Sequence, residues 1–231
     1  MLSRLKLLIG DGVTKLKQSK VIIFGVGGVG GYTVEMLARS GVGSITLVDF
    51  DVVDISNKNR QIIALDSTIG KNKVDVMSER VKDINPECQV KVFNQKLTKD
   101  NISDFDLEDY DYIIDAIDMV TSKLALIEYA YNHNIAIISA MGAGNRFGIP
   151  DVKIDDIYNT SNDGLAKVMR RELRKRGVRN HTVAYATNKS TPCGETIGSI
   201  SYFPAMVGCM MSAYVINRLV GENNGSKDNQ R

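Results

Sequence analysis

Residues 21–40, VIIFGVGGVGGYTVEMLARS, constrain this chain more than any other stretch. Four apolar residues run into a loop with glycine at positions 25, 27, 28 and 30, and a helical pattern follows over about residues 32–40. A strand buried on both faces reads as a continuous apolar run. The glycines permit a tight turn and close backbone approach, and the helix behind them presents unpaired N–H groups to an anion. Further apolar runs at 45–48 (ITLV), 90–93 (VKVF), 112–117 (YIIDAI) and 136–139 (AIIS) alternate with helical patterns. That alternation is the signature of strand–helix–strand units in a parallel sheet. The expected fold class is α/β: a Rossmann-like doubly wound, mainly parallel sheet with a C-terminal strand and helix extension. We expect one domain over residues 1–221, with a nucleotide-binding core at about 18–150, a substrate-side extension at 151–221 and a flexible tail at 222–231.

Composition narrows the function classes. A chain of 231 residues with 43% hydrophobic content can bury a substantial core, and its formal charge of only +2 leaves partner preference to local patches. Cys88, Cys193 and Cys209 lie far apart and form no CxxC pair, so neither a disulfide framework nor a structural zinc site is indicated. That usage favours a reducing, cytoplasmic setting. The start, MLSRLKLLIGDGVTKLK, lacks a secretory pattern. Residues 197–216 carry no charge, but Gly198, Ser199, Ser201, Pro204, Gly208 and Ser212 interrupt them. We read there a short strand and a buried helix, with Pro204 in its first turn and Met206, Val207, Met210 and Tyr214 on buried faces, and no stable membrane insertion.

The chemistry collects where the strands end. Asp49 closes the second strand 24 residues beyond Gly25, the distance at which an acid accepts hydrogen bonds from ribose hydroxyls. With Gly25, Gly27, Gly28 and Gly30, it points to an adenosine nucleotide. Asn57 and Arg60 follow in DFDVVDISNKNRQ, Lys73 in TIGKNK, and Asp118 at the end of the fourth strand. A dinucleotide needs no such cations, whereas arginine and lysine neutralise charge on a phosphate under attack, and a carboxylate opposite them can hold magnesium on a triphosphate. ATP with Mg2+ therefore fits better than NAD. Asp51 and Asp54 read as solvated or turn residues and Lys71 as solvated. Asp115 is open between site and structure, and His133 and His181 read as structural.

At these residues the chain resembles the ThiF/MoeB/HesA-type adenylating enzymes, relatives of the ubiquitin-activating enzymes. GVGGVG, LVDFDVVDISNKNRQ, GKNKVD and DAID occur in that family's order over roughly residues 3–150. The resemblance implies that Asp49, Asn57, Arg60, Lys73 and Asp118 bind or activate ATP, with Arg60, Lys73 and Asp118 catalytic and Asp118 acting through the metal. It also implies that Arg4, in SRLKLLIG, reaches into a partner subunit's site in a homodimer. RLKLLIG, LARSGVG, NRQIIAL, INPECQV and GAGNRFGIPDVKIDDI are similar to the branch that dehydrates N6-threonylcarbamoyladenosine in tRNA. That implies an acyl-adenylate on the threonine carboxylate, ring closure by the carbamoyl nitrogen, a tRNA partner and possible contact with a sulfur-relay protein. The absent CxxC pairs argue against the sulfur-carrier branch. Cys193, in STPCGET, reads as a bystander more readily than as a covalent nucleophile.

Residues 164–189 hold eight Lys or Arg and one acid, Glu172. The spacing predicts a helix capped by Asp163 and Gly177, with Leu165, Val168, Met169 and Leu173 inward and Arg170, Arg171, Arg174 and Lys175 outward. Such a face is usually only solvated. Beside a tRNA-like substrate it becomes the expected RNA surface. Two alternatives stay open: adenylation of the C-terminal glycine of a ubiquitin-like sulfur carrier, and a non-catalytic nucleotide-dependent adaptor.

Overall fold

The computed structural model describes residues 1–191, 194 and 196–221; Cys193 and the expected tail at 222–231 lie outside the described residues. Two short helices, α1 (Ser3–Ile9) and α2 (Gly12–Gln18), lead into β1 (Lys20–Phe24), α3 (Gly30–Arg39) and β2 (Ser44–Val48). Then come α4 (Lys73–Ile84), β3 (Gln89–Phe93), β4 (Tyr112–Asp115), α5 (Val120–Asn132) and β5 (Ile137–Ala140). β6 (Val152–Asp156), α6 (Gly164–Lys175), β7 (Thr182–Ala186) and α7 (Tyr202–Val220) complete the order.

The seven strands form one sheet in the order β3-β2-β1-β4-β5-β7-β6, parallel except for β6, which runs antiparallel to β7. The doubly wound sheet is therefore as expected. Chain direction across the sheet reverses between β1 and β4, so their carboxyl ends open a crevice, the usual place for a ligand in such sheets. Side chains alternate across it. Val21 and Ile23 face α3, α4 and α7, whereas Ile22 and Phe24 join Phe105, Leu107, Ile113 and Leu126 on the other face. Val21, Ile22, Ile23 and Phe24 are fully buried, each contributing about 1.5–3 kcal/mol of burial, while Lys20 at the start of β1 is exposed.

The C-terminal extension departs from expectation. Residues 197–200 form no strand; the extension supplies β6 and β7 instead. β6 escaped notice because it is an edge strand whose alternate residues Lys153 and Asp155 stand exposed, so it carries no continuous apolar run. The final helix is present. Pro204 lies in its first turn and is buried with Val207, but Met206 is exposed, a correction to its expected inward position.

α7 is long and apolar enough by composition to cross a membrane, with a mean hydropathy of 1.3. Its apolar character is used inside the protein: Phe203, Val207, Met211 and Val215 are buried, and the helix packs on α3 and α2. Contact with α3 is close because position 208 is glycine. A Cβ there would lie 2.5 Å from the Val29 carbonyl oxygen, while Thr33 Oγ1 donates to the Gly208 carbonyl at 3.2 Å.

A buried polar cluster stands behind the carboxyl end of β4. Asp115 and Lys123 are both fully buried and paired at 2.7 Å, and Asp115 also accepts from the Ile117 N–H at 3.1 Å. Asp115 is thus structural, anchoring the start of α5 to the turn after β4. Ser139, its neighbour across β5, bonds His181 Nε2 at 2.8 Å. Burial, reinforced by the nearby Lys123 ammonium, pushes the His181 imidazole down to about 3.

Two consequences are measurable. Gly208→Ala gains about 1 kcal/mol of helix propensity but forces apart two packed helices, at about 1–3 kcal/mol. Its midpoint in urea unfolding should fall, the opposite of what propensity alone predicts. His181 stays neutral in the folded state while the unfolded imidazole takes up a proton below about pH 6.5. The unfolded state then binds more protons, so the stability this residue contributes is complete above that pH and declines toward pH 3. Between about pH 6 and 4.5 the slope should approach about 1.4 kcal/mol per pH unit, and His181→Gln should flatten it in unfolding titrations across that range.

Candidate nucleotide-binding site

Backbone crowding at the crevice dictates glycine. Gly25 leaves β1 with φ +90°, and a Cβ on it would sit 2.6 Å from the Ala116 carbonyl oxygen; one on Gly30 would meet the Gly25 oxygen at 1.8 Å. The loop thereby lies against the end of β4 and delivers the start of α3 beside it. No side chain caps that helix; its Gly31 N–H donates to the Gly27 carbonyl at 2.9 Å, and the Gly30 and Tyr32 N–H groups suit an anion. Gly27 and Gly28 face the segment at Arg60 and Gln61 and the start of α7. A Cβ on Gly28 would come within 3.2 Å of Pro204 and 3.6 Å of Arg60 Cγ, and one on Gly27 within 3.6 Å of Gln61 Nε2.

Asp49 clamps this loop to the end of β2. Its Oδ2 accepts from the Val26 N–H at 2.6 Å and its Oδ1 from the Asp51 N–H at 2.9 Å. A carboxylate has about four acceptor positions, so two remain for hydroxyl donors. Lys73, the first residue of α4, is almost completely buried and reaches back to Asp51 Oδ2 at 2.7 Å, while its N–H donates to the Asp51 carbonyl. Asp51 is exposed, as expected of a solvated residue, and is in addition the counter-ion that holds a buried ammonium in place. Asp54 is a turn residue as expected. It caps the short 3-10 turn at residues 55–57 by accepting from the Ser56 N–H at 2.8 Å, and these hydrogen bonds lower its carboxyl below the usual range.

Asn57 closes that capping box: its Oδ1 accepts from the Asp54 N–H at 3.1 Å, so its amide oxygen is spent on local structure. The turn ends at Arg60, whose Nη1 donates to the Ser56 carbonyl at 2.9 Å and to Asn59 Oδ1 at 3.0 Å. Asn59 in turn donates to the Ser199 carbonyl at 3.0 Å, tying this segment to the loop before α7. Asp118 is exposed just past β4, and no hydrogen bond or ion pair engages it among the described residues.

The sequence reading missed Gln61. It is buried beside Gly27, and its Oε1 is the unpartnered buried side-chain polar atom among the described residues. An orphan acceptor costs about 1–3 kcal/mol and fits a site that a ligand completes. The signal available in sequence was only its adjacency to Arg60.

The remaining expected residues lie apart. Arg4 is exposed on α1, a helix with no buried residue. α6 is capped as expected by Asp163, which accepts from the Ala166 N–H, and Gly177 follows it with φ +75°. Its inward face is Ala166, Met169 and Leu173, whereas Val168 is exposed. Arg170 does not belong to the outward set: it is half-buried and donates to the carbonyl and hydroxyl of Thr160. Arg174 lies 4.9 Å over the Tyr158 ring. Arg171 and Lys175 are exposed and share Glu172, whose carboxyl they hold down to about 2.

Comparison with known proteins agrees with this geometry. Bacillus subtilis tRNA threonylcarbamoyladenosine dehydratase is 48% identical over 181 residues, covering 77% of this chain and 70% of that protein. The Haemophilus influenzae protein of the same name is 44% identical over 170 residues, covering 74% and 65%. The Escherichia coli enzyme, solved in complex with ATP, superposes with a TM-score of 0.87 at 32% identity, covering 93% of this chain and 91% of that one. The ThiF family profile matches residues 2–231. With that match over nearly its whole length, and with its glycine turn clamped by Asp49, this chain belongs to the ThiF family.

Proposed function

We propose that this protein is an ATP-dependent adenylating enzyme that dehydrates N6-threonylcarbamoyladenosine in tRNA. The reading rests on the glycine turn clamped by Asp49 and on buried Lys73 held by Asp51, in a chain 48% identical to a dehydratase of that substrate; Arg60 and Asp118 are assigned to the same crevice as part of the proposal. ATP is the nucleotide because buried Lys73 and Arg60 supply cationic character beyond what a glycine loop needs for a pyrophosphate. In the first step the threonine carboxylate oxygen attacks the α-phosphorus and pyrophosphate leaves. The carbamoyl nitrogen then attacks the activated carbonyl carbon, loses its proton and expels AMP. The net change is loss of water from the substrate. A tethered nucleophile closes the ring with little entropic cost.

Each side chain has a role within that scheme. Asp49 keeps its free acceptor positions for ribose hydroxyls and fixes the glycine loop. Arg60 and Lys73 stabilise charge as pyrophosphate departs. Asp118 fits a Mg2+ ligand: it is exposed and unengaged at the mouth of the crevice, and magnesium commonly takes one protein carboxylate with phosphate oxygens and waters. The ion would neutralise phosphate charge when bound. Asn57 contributes by holding the turn that aims Arg60.

A homodimer belongs to this proposal. α1 carries Leu7 and Leu8 at 86% and 82% exposure beside Arg4, and such exposed apolar residues suit burial against a second copy, bringing Arg4 toward the partner's crevice. A cytoplasmic setting and contact with a sulfur-relay protein complete the expectation. Similarity at 39% identity over 113 residues to a probable molybdopterin-synthase adenylyltransferase of Porphyra purpurea keeps a carrier-protein substrate as the rival. Pyrophosphate exchange dependent on tRNA supports the dehydratase reading. Exchange dependent on a ubiquitin-like carrier and indifferent to tRNA supports the rival, and no exchange with either supports an adaptor.

Arg60→Ala and Lys73→Ala should lower kcat by 10²-fold or more, about 2.7 kcal/mol of transition-state stabilisation, while changing ATP affinity much less. Single-turnover AMP formation and ATP titration calorimetry separate the two effects. If either variant forms AMP at the wild-type rate, its role is misassigned. Arg171, Arg174 and Lys175 are exposed α6 cations assigned here to RNA phosphates, an RNA phosphate competing with Glu172 for Arg171 and Lys175. Arg171→Glu with Lys175→Glu should weaken tRNA binding and flatten its salt dependence by roughly one log unit per lost contact, leaving ATP affinity unchanged in filter binding across a salt series.

A further inference from the structure

The loop after β5 holds two of the most exposed apolar side chains in the structure, Phe147 at 77% and Ile149 at 90%. It is not a loose loop. Arg146 is buried and paired with Asp163 at 2.9 Å, and it donates as well to the carbonyls of Gly142, Asn162 and Asn188. Asn188 holds the next residues, donating to the Ile149 carbonyl at 2.9 Å and accepting from the Asp151 N–H at 2.8 Å. Two exposed apolar side chains on so firmly tied a backbone call for an occupant.

The loop is also joined to the nucleotide crevice. Asn145, with φ +55°, exchanges hydrogen bonds with Gly198: its N–H donates to the Gly198 carbonyl at 2.7 Å and its Oδ1 accepts from the Gly198 N–H at 2.6 Å. The next residue, Ser199, accepts from Asn59, the neighbour of Arg60. On its other side the same loop meets α6, because Asp163 is at once the partner of Arg146 and the cap of that helix. α6 spans 12 residues, about 18 Å, and carries Arg171, Arg174 and Lys175 near its far end. Lys189 stands exposed next to Asn188; Asp151 on the same loop is also exposed and accepts from the Thr187 hydroxyl, so the positive charge of this surface comes from α6.

We propose that Phe147, flanked by Ile149, is a stacking platform for an unpaired base of the RNA substrate, placed between the basic track of α6 and the ATP crevice. This rests on the tRNA reading above and names the part of the RNA that the surface takes. Charge complementarity selects the occupant: a ring on a rigid loop, bordered by Lys189 and leading to a basic helix, matches a splayed base whose phosphates continue along that track. α6 binds phosphates of any helix. Phe147 supplies the preference for a loop.

The test uses full-length protein with tRNA carrying threonylcarbamoyladenosine, and for binding a stem–loop RNA against a blunt duplex of equal length. Phe147→Ala should raise the KM for tRNA roughly 5- to 100-fold, the range expected for one lost base stack, and abolish the preference for stem–loop over duplex. Phe147→Tyr should restore both, and the KM for ATP should stay as in wild type for each variant. Unchanged tRNA KM and unchanged stem–loop preference in Phe147→Ala overturn the platform while leaving the dehydratase reading intact. A shift of Phe147→Ala to a smaller species in sedimentation also overturns it, since the ring then serves a contact between copies of the chain. Wild-type protein that neither binds nor alters the tRNA overturns the functional reading and the platform with it.

Discussion

The approach of three backbone segments at the ends of β1 and β4 is the constraint on which the site depends. Gly25 meets Ala116 and Gly30 meets Gly25 at distances that leave no room for a Cβ. Because the turn is this tight, the start of α3 arrives at the sheet edge with no side chain capping it. Asp49 can then reach the Val26 N–H from β2 and lock the loop in place. Geometry and charge arise together here: the turn that fixes the backbone also builds the anion site.

Two ion pairs, one fully buried and one between buried Lys73 and half-exposed Asp51, hold the segments around that turn. Lys73 is held by Asp51, and the turn carrying Asp118 is held by Asp115 and Lys123. Pairs of this kind add little net stability, because desolvation offsets their attraction, but breaking one leaves a buried charge unpaired. They confer position more than energy. Arg146 with Asp163 does the same for the loop bearing Phe147, so three pairs fix three parts of one rim.

Much of this was legible beforehand. β1, β2, β3, β4 and β5 appear within a residue or two of the apolar runs that announced them; β1, β2, β4 and β5 are covered on both faces and read as nearly continuous apolar runs, whereas edge strand β3 was legible from Val90, Val92 and Phe93 despite exposed Lys91. β6 and β7 were missed. One alternates polar and apolar residues at an edge, and the other follows a basic helix whose charge drew the reading elsewhere. Asp49 was singled out from spacing and Lys73 from the family resemblance, but their immediate partners were not. Gln61 gave no signal, because an unpartnered buried oxygen is a property of packing.

The sequence by itself determined the alternating architecture, the glycine turn, the capped basic helix and the residue types of a nucleotide site, because each is encoded within a short window by periodicity or backbone preference. Tertiary structure decided which groups meet. Asp51 lies 22 residues from Lys73, Asn145 lies 53 from Gly198, and Asn59 lies 140 from Ser199. It also divided the cations of α6, turning Arg170 inward to Thr160 while leaving Arg171 and Lys175 exposed. No local pattern separates these arginines, since their roles follow from what the rest of the fold packs against each face.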